Sequence, residues 1–478
     1  MTVQAQVATQ TLPDLEKGGL GGHPKGLNVL FFTELWERFS YYGMRAILVL
    51  FMIAPRAEGG MGLTMDRAAD IYAWYTMCVY LTSIPGGLVA DRLIGPRLAI
   101  VYGGIIIALG HFTMAIRSDF AFYAGMILIV LGTGLLKPNI STMVGKLYPA
   151  HDPRRDAGFS IFYMGINLGA TLSPLVCGYL AQDKSFKTML VNWGIPAETC
   201  WHFGFAAAGV GMCLGLAHLF AQYKLLDHIG GRPKNKDSKA RDQAEERNEQ
   251  RKGDKEEQIV SSDNHSERGK LMAIACLFVF NSLFWMIYEQ GGSSLNVFAE
   301  KLSTNQIFGW SFPSSWLQSL TPIYVIVFAP LFSILWTRLG ARQPSSPAKF
   351  ALGLGFLGLG VALMIPASIL ATHGKVSPLF LIFTYMIEVL GELCLSPVGL
   401  STVTKLAPIR FQSLIMGGWF CSSAIGNWLA GQLARSFDFS NTQAMSQIFS
   451  AMAIFTLFAS GLLFAMLPPI RKWMGNVR

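Results

Sequence analysis

The chain has 478 residues, of which 52% are hydrophobic and 14% charged, with a formal net charge of +9 and a mean hydropathy of +0.40. Soluble domains carry about 25% charged residues, so the composition argues against a soluble enzyme and fits a polytopic membrane protein. No basic face stands apart from the membrane loops, so the positive charge does not point to a nucleic-acid partner.

Twelve apolar segments are long enough to be expected spans, at approximately 28–53, 67–90, 98–117, 121–146, 157–181, 201–222, 269–290, 317–338, 349–370, 378–400, 412–435 and 447–467. Residues 1–25 are polar and the first apolar run is too long for a signal-peptide core, so no cleavable leader is expected. The first span carries Glu34, Glu37, Arg38, Tyr41, Tyr42 and Arg45 at i, i+3, i+4, i+7, i+8 and i+11, one face of a helix. A charge at a helix centre costs about 2.5–3.5 kcal/mol on insertion scales. Such a stripe must face a protein interior or a watery cavity, and the default reading is a transport or ion pathway.

The second span places Tyr72, Tyr75 and Tyr80 at i, i+3 and i+8, an interfacial belt, core packing or a pocket wall. Lys137 stands in the fourth span beside Pro138, which frees backbone groups that a cavity can use. Asn167 stands in the fifth, as an interhelical hydrogen bond or a ligand contact. Residues 223–268 are dominated by charged and amide side chains that cannot bury a core, so a tether between halves of six spans each is expected. The seventh span ends at Glu289 and carries Trp285; the tenth carries Glu388 and Glu392 four apart on one face; the eleventh carries Trp419. His111 and His218 read as structural, and the seven cysteines as small apolar packing with no metal-ligand spacing.

Lys and Arg are enriched in the termini and even-numbered loops, which places both termini in the cytoplasm. Asp91-Arg92-Leu93-Ile94-Gly95-Pro96-Arg97 and Thr337-Arg338-Leu339-Gly340-Ala341-Arg342 each follow the second span of a half, a faint repeat that suggests two bundles around a central site. At depth stand the cations Arg38, Arg45 and Lys137 and the carboxylates Glu34, Glu37, Glu289, Glu388 and Glu392. The carboxylates outnumber the cations, and a bilayer interior does not hold unpaired carboxylates at low cost. The excess calls for a proton, a metal cation or a substrate amine. Structural pairing is the plain alternative, but buried ion pairs are poor stabilisers, and so many of them need another reason to exist.

These residues match a family pattern. Glu34-x-x-Glu37-Arg38-Phe39-x-Tyr41-Tyr42-Gly43 resembles the first-helix signature of the proton-dependent oligopeptide transporters, a branch of the major facilitator superfamily. Arg155 to Phe159 with Asn167-Leu168-Gly169, Leu136-Lys137-Pro138-Asn139, Phe284-Trp285 with Glu289-Gln290, Gly391-Glu392-Leu393 with Ser396-Pro397, and Gly418-Trp419-Phe420 resemble the same family. Gly86 to Arg92 resembles the superfamily's signature in the loop after the second helix.

The resemblance implies an all-α fold of twelve transmembrane helices in two six-helix bundles: an N-terminal segment 1–27, bundles at 28–222 and 269–467, the linker 223–268 and a tail 468–478. It implies a symporter of the cell membrane, not an enzyme, that carries di- and tripeptides with protons, has no cofactor or metal and acts as a monomer in the lipid bilayer. Arg38 and Lys137 would face the peptide's carboxylate, and Asn167, Glu289 and Glu392 its amino terminus. Tyr41, Tyr42, Tyr80, Trp285, Trp419 and Ser423 would line the pocket. Glu34, Glu37, Arg38, Lys137 and Glu289 would serve proton coupling, and Arg45 with Glu289 would form a gate.

Three departures qualify the match. Thr321-Pro322 stands where the family often has Asn-Pro, Ala73 stands where animal members carry a His, and the two extra helices of many bacterial members are missing. A proton-coupled carrier of nitrate or another small anion is the nearest alternative. No Gly-x-Ser-x-Gly and no paired His and Asp at depth support a membrane enzyme.

Overall fold

The computed structural model describes residues 18–149, 152, 154–231, 267–407 and 412–475. Most of the expected 223–268 tether, residues 232–266, lies outside the described residues, as do 1–17 and 476–478.

In the N-terminal half, the helices are α1 (Lys25–Ile53), α2 (Met65–Leu81), α3 (Ser83–Val89), α4 (Pro96–Met114), α5 (Asp119–Lys146), α6 (Arg155–Gln182), α7 (Lys184–Asn192) and α8 (Cys200–Ala221). The C-terminal half has α9 (Glu267–Tyr288), α10 (Ser294–Leu302), α11 (Leu320–Leu339), α12 (Ser346–Ala362) and α13 (Met364–Leu370). It continues with α14 (Leu379–Leu406), α15 (Gln412–Ala434), α16 (Thr442–Ala465) and α17 (Leu467–Met474). A short hairpin pairs β1 (Gln306–Ile307) with β2 (Trp310–Ser311). Its turn takes Phe308 and Gly309 to positive φ, 48° and 82°.

Among the described residues, ten helices are long and apolar enough to cross a membrane. Two further long helices, α1 and α15, stand where the first and eleventh spans are expected. Glu34, Glu37, Arg38 and Arg45 make α1 less apolar, and Ser422, Ser423, Asn427 and Gln432 do the same to α15. The expected spans at 67–90 and 349–370 are each broken, at Thr82 and Leu363, and the expected 317–338 span begins at Leu320 after a 3-10 turn, Ser314–Ser319. Thr82 at the first break gives its hydroxyl to carbonyls of its own helix and, at 3.1 Å, to the Val130 carbonyl of α5.

Within each half, successive long helices run antiparallel, turned by connections such as residues 115–118, and Asn296, just past α9, bonds Ala46 near the end of α1, so the halves run the same way up. The start of α1 and the end of α16 therefore lie at one end of the molecule, and Ile53 at the other. Hydrogen bonds join the halves at that far end. Asn296 donates to the Ala46 carbonyl at 2.8 Å, Ser319 to the Thr171 carbonyl at 2.8 Å and Trp316 to the Leu175 carbonyl at 3.0 Å. Gln182 donates to Glu300 at 3.0 Å, and Arg435 to Asp66 at 2.6 Å. Ile127, Val279 and Phe458 stand exposed, an apolar outside suited to lipid.

Candidate functional site

The charged stripe of α1 divides into two parts. Glu34, Glu37 and Arg38 are buried. They are covered because α6 approaches at Gly169, where an added Cβ would stand 2.2 Å from the Leu35 carbonyl oxygen and 3.1 Å from Arg38 Cβ. Arg38 Nε lies 3.0 Å from Glu34 Oε1 and also ion-pairs with Glu37, so one guanidinium serves two carboxylates of its own helix. The Tyr41 ring centroid is 5.6 Å from the same guanidinium.

Two turns further on, Arg45 looks away from its own helix. It ion-pairs with Glu289, and its Nε donates to the Tyr72 hydroxyl at 2.6 Å. Gly292 makes room for this contact, because a Cβ there would stand 2.7 Å from the Arg45 guanidinium. Glu289 sits in a 3-10 turn, Glu289–Gly292, that follows α9, so the carboxylate is held at a break in the helix.

Beside this pair, between the halves, lies a cavity of about 210 Å³. The N-terminal half lines it with Tyr42, Arg45, Tyr80, Tyr163 and Asn167, the C-terminal half with Trp285, Tyr288, Glu289, Glu388 and Glu392, among others. Asn167 donates its amide to the Tyr163 carbonyl at 2.9 Å. The Tyr288 hydroxyl donates to Glu392. Glu388 and Tyr385 are buried, and among the described residues Glu388 Oε1 and the Tyr385 hydroxyl have no hydrogen-bond partner.

Of the residues singled out in the sequence, Tyr42, Tyr80, Asn167, Trp285, Glu289 and Glu392 therefore meet at one cavity. Arg38, Tyr41, Lys137, Trp419 and Ser423 do not line it. Lys137 stands one side chain away, its Nζ 3.8 Å from the centroid of the Tyr80 ring. Trp419 packs against Phe278 and Phe350, at 6.1 and 6.3 Å between ring centroids. Ser423 is tied to the cavity wall through Asn281, whose amide reaches it at 3.1 Å and whose carbonyl oxygen accepts from Trp285 at 3.1 Å.

Tyr163, Tyr288, Tyr385 and Gln318 also line the cavity and were not singled out by sequence. Tyr385 stands three residues before Glu388 on one helical face, a signal that spacing carries. Gln318 belongs to a 3-10 turn that apolar periodicity does not mark. Thr321 and Pro322 line the cavity. Ala73 is fully buried where α2 crosses α15, so tightly that a Cβ on Gly431 would stand 2.2 Å from its own Cβ, which leaves no space for an imidazole. Among the described residues, no group of three His, Cys, Asp or Glu side chains could hold a metal ion.

A family model described as the POT family matches residues 97–243 and 232–450. The chain belongs to the POT family. This makes it a polytopic membrane transporter rather than an enzyme, with the major facilitator fold. Similar family members include the uncharacterised transporter YclF of Bacillus subtilis (strain 168), 39% identical with 96% of each chain covered. A di-/tripeptide transporter of Lactococcus lactis subsp. cremoris is 36% identical, over 96% of this chain and 98% of that one. A crystal structure of a mutant peptide transporter POT in complex with alafosfalin superposes with a TM-score of 0.83 at 39% identity, over 96% of this chain and 98% of that one.

Proposed function

We propose that the protein is a proton-coupled symporter that imports di- and tripeptides by alternating access. The observation that carries this reading is the cavity between the halves, with Glu289, Glu388 and Glu392 on the C-terminal side and Arg45 on the N-terminal side. A peptide zwitterion needs opposite partners for its two ends. Glu392 and Glu289, with Asn167, hold the ammonium; Arg38 and Lys137, beyond the Tyr80 ring, take the carboxylate. Family members whose names state di- and tripeptide transport support the substrate class.

Both termini are cytoplasmic in this reading, with six-helix bundles at 28–222 and 269–467. The far end, where hydrogen bonds join the halves, is then the closed outer gate. The Arg45–Glu289 pair lies just beneath it and links the gate to the cavity. Protons enter at Glu34 and Glu37. Neutralising either carboxylate releases Arg38 from one of its two partners, and the freed guanidinium turns to the peptide. A proton on Glu289 likewise releases Arg45, so the halves can rock about the site.

The driving force is adequate. One proton moving down 100 mV supplies about 2.3 kcal/mol, and one pH unit adds about 1.4 kcal/mol. Together they allow about 500-fold accumulation of a neutral peptide.

The test is uptake of labelled dialanine into proteoliposomes with and without an inwardly directed proton gradient, with nitrate as competitor. Gradient-dependent accumulation that excess nitrate leaves intact is expected. Nitrate uptake with no dialanine uptake would replace this reading with that of an anion carrier.

A further inference from the structure

Glu388 is the cavity carboxylate that the proposed mechanism does not use. Its two neighbours in the pocket are engaged: Glu289 holds Arg45, and Glu392 accepts from Tyr288. Glu388 is 2% exposed, and among the described residues its Oε1 has no hydrogen-bond partner and no cation forms an ion pair with it. Its stem is held in place. A Cβ on Gly360 of α12 would stand 3.1 Å from Glu388 Cγ, and the preceding turn is fixed where Thr384 donates to the Gly360 carbonyl at 3.2 Å.

An acid group in such a place is costly unless something pairs with it. The surroundings suit a cation. The Tyr385 hydroxyl, three residues earlier on α14, is buried without a partner and can accept a hydrogen bond. The rings of Tyr385, Trp285 and Tyr288 line the same space and can face a cation.

We propose that Glu388 and Tyr385 form a subsite for the ammonium side chain of a lysine at the first position of a peptide. The inference rests on the peptide reading above and adds a preference within it. The spacing sets the position. Glu388 and Glu392 are four residues apart on one helix face, about 6 Å along its axis. A lysine carries its ε-ammonium on a flexible four-carbon stem, a reach comparable with that separation. With the peptide's α-ammonium at Glu392, the ε-ammonium of the same residue meets Glu388. A lysine at the second position is carried toward Arg38 and Lys137 instead, where it meets like charge.

The experiment is competition against labelled dialanine uptake in proteoliposomes by unlabelled Lys-Ala, Ala-Lys and Ala-Ala. It compares the wild type with Glu388→Gln, Glu388→Asp and Tyr385→Phe. In the wild type, Lys-Ala is expected to compete about tenfold better than Ala-Lys. Glu388→Gln abolishes that ratio, Glu388→Asp keeps most of it, and Tyr385→Phe lowers it about two- to threefold. If Glu388→Gln fails to reach the membrane, Tyr385→Phe carries the same test.

An unchanged ratio in Glu388→Gln overturns the subsite. So does a Glu388→Gln protein that keeps the lysine preference but loses gradient-driven accumulation, because Glu388 is then a proton carrier. A wild type that takes up no dialanine strikes the peptide reading itself. Dialanine uptake without a lysine preference strikes only the subsite.

Discussion

The carboxylates of α1 and those of the C-terminal half are the same chemical groups in opposite arrangements. Glu34 and Glu37 share one guanidinium, Arg38, on their own helix, and none of the three lines the cavity. Glu289, Glu388 and Glu392 all line it, and their surroundings differ: Glu289 pairs with an arginine of the other half, Glu392 accepts from a tyrosine of α9, and Glu388 Oε1 has no hydrogen-bond partner among the described residues. A cluster closed within one helix can keep its geometry while the halves move. A carboxylate held from the other half cannot, so its pairing reports where the halves stand. The first arrangement suits a proton store and the second a gate and a substrate site.

Substitutions can break this contrast. The largest effect is expected from Glu37→Gln, which removes one of the two carboxylates that share Arg38 in the closed cluster. Gradient-driven accumulation of dialanine should be lost while peptide counterflow, which needs no net proton movement, persists. Retained accumulation in this variant would remove Glu37 from the coupling scheme.

The inter-half pair comes next. Truncating one partner of a buried charge pair typically costs about 2–5 kcal/mol. A double-mutant cycle of Arg45→Ala with Glu289→Ala, read on peptide affinity or thermal unfolding, should give a coupling energy of about 1–3 kcal/mol. The same cycle of Arg45→Ala with Glu37→Ala should give much less, because Arg45 and Glu37 belong to different clusters. Equal couplings would erase the distinction drawn here between them.

Arg38→Ala should weaken binding of peptides with a free carboxylate more than of their amidated forms. Competition assays with dialanine and its amide can measure the difference, and equal losses would leave Arg38 as a partner of Glu34 and Glu37 alone. The smallest effect is expected from Tyr288→Phe. It removes one hydrogen bond to Glu392, worth about 1.5–3 kcal/mol for a charged acceptor, and should shift the affinity of dialanine more than that of an N-acetylated analogue.

Much of this was legible in the sequence, and the missing parts have physical reasons. The stripe on α1 stood out because charge in an apolar helix is costly, and its spacing already placed Glu34, Glu37 and Arg38 within reach of one another. Lys137, Glu289 and Glu392 stood out for the same reason. Periodicity could not tell that Arg45 faces the cavity while Arg38 does not, since both lie on one face of one helix. That difference is set by α6 closing over Arg38 at Gly169 and by Gly292 giving Arg45 space. Tyr163 and Tyr288 escaped notice because a tyrosine in a membrane helix is usually belt or core, and only three-dimensional contact separates those cases; Tyr385 carried a spacing signal beside Glu388 that the charged residues overshadowed. The breaks at Thr82 and Leu363 each precede a proline by three residues, Pro85 and Pro366, whose missing N–H cannot bond the last residue of the helix before the break; the continuous apolar run across both masked that signal.

The central claim is that peptide and proton move together. Its most direct test is dialanine-driven proton entry into proteoliposomes loaded with a pH-sensitive dye and held at a negative internal potential. The account predicts that dialanine acidifies the interior of wild-type vesicles and leaves Glu37→Gln vesicles unchanged. Dialanine entering wild-type vesicles with no accompanying acidification would contradict it.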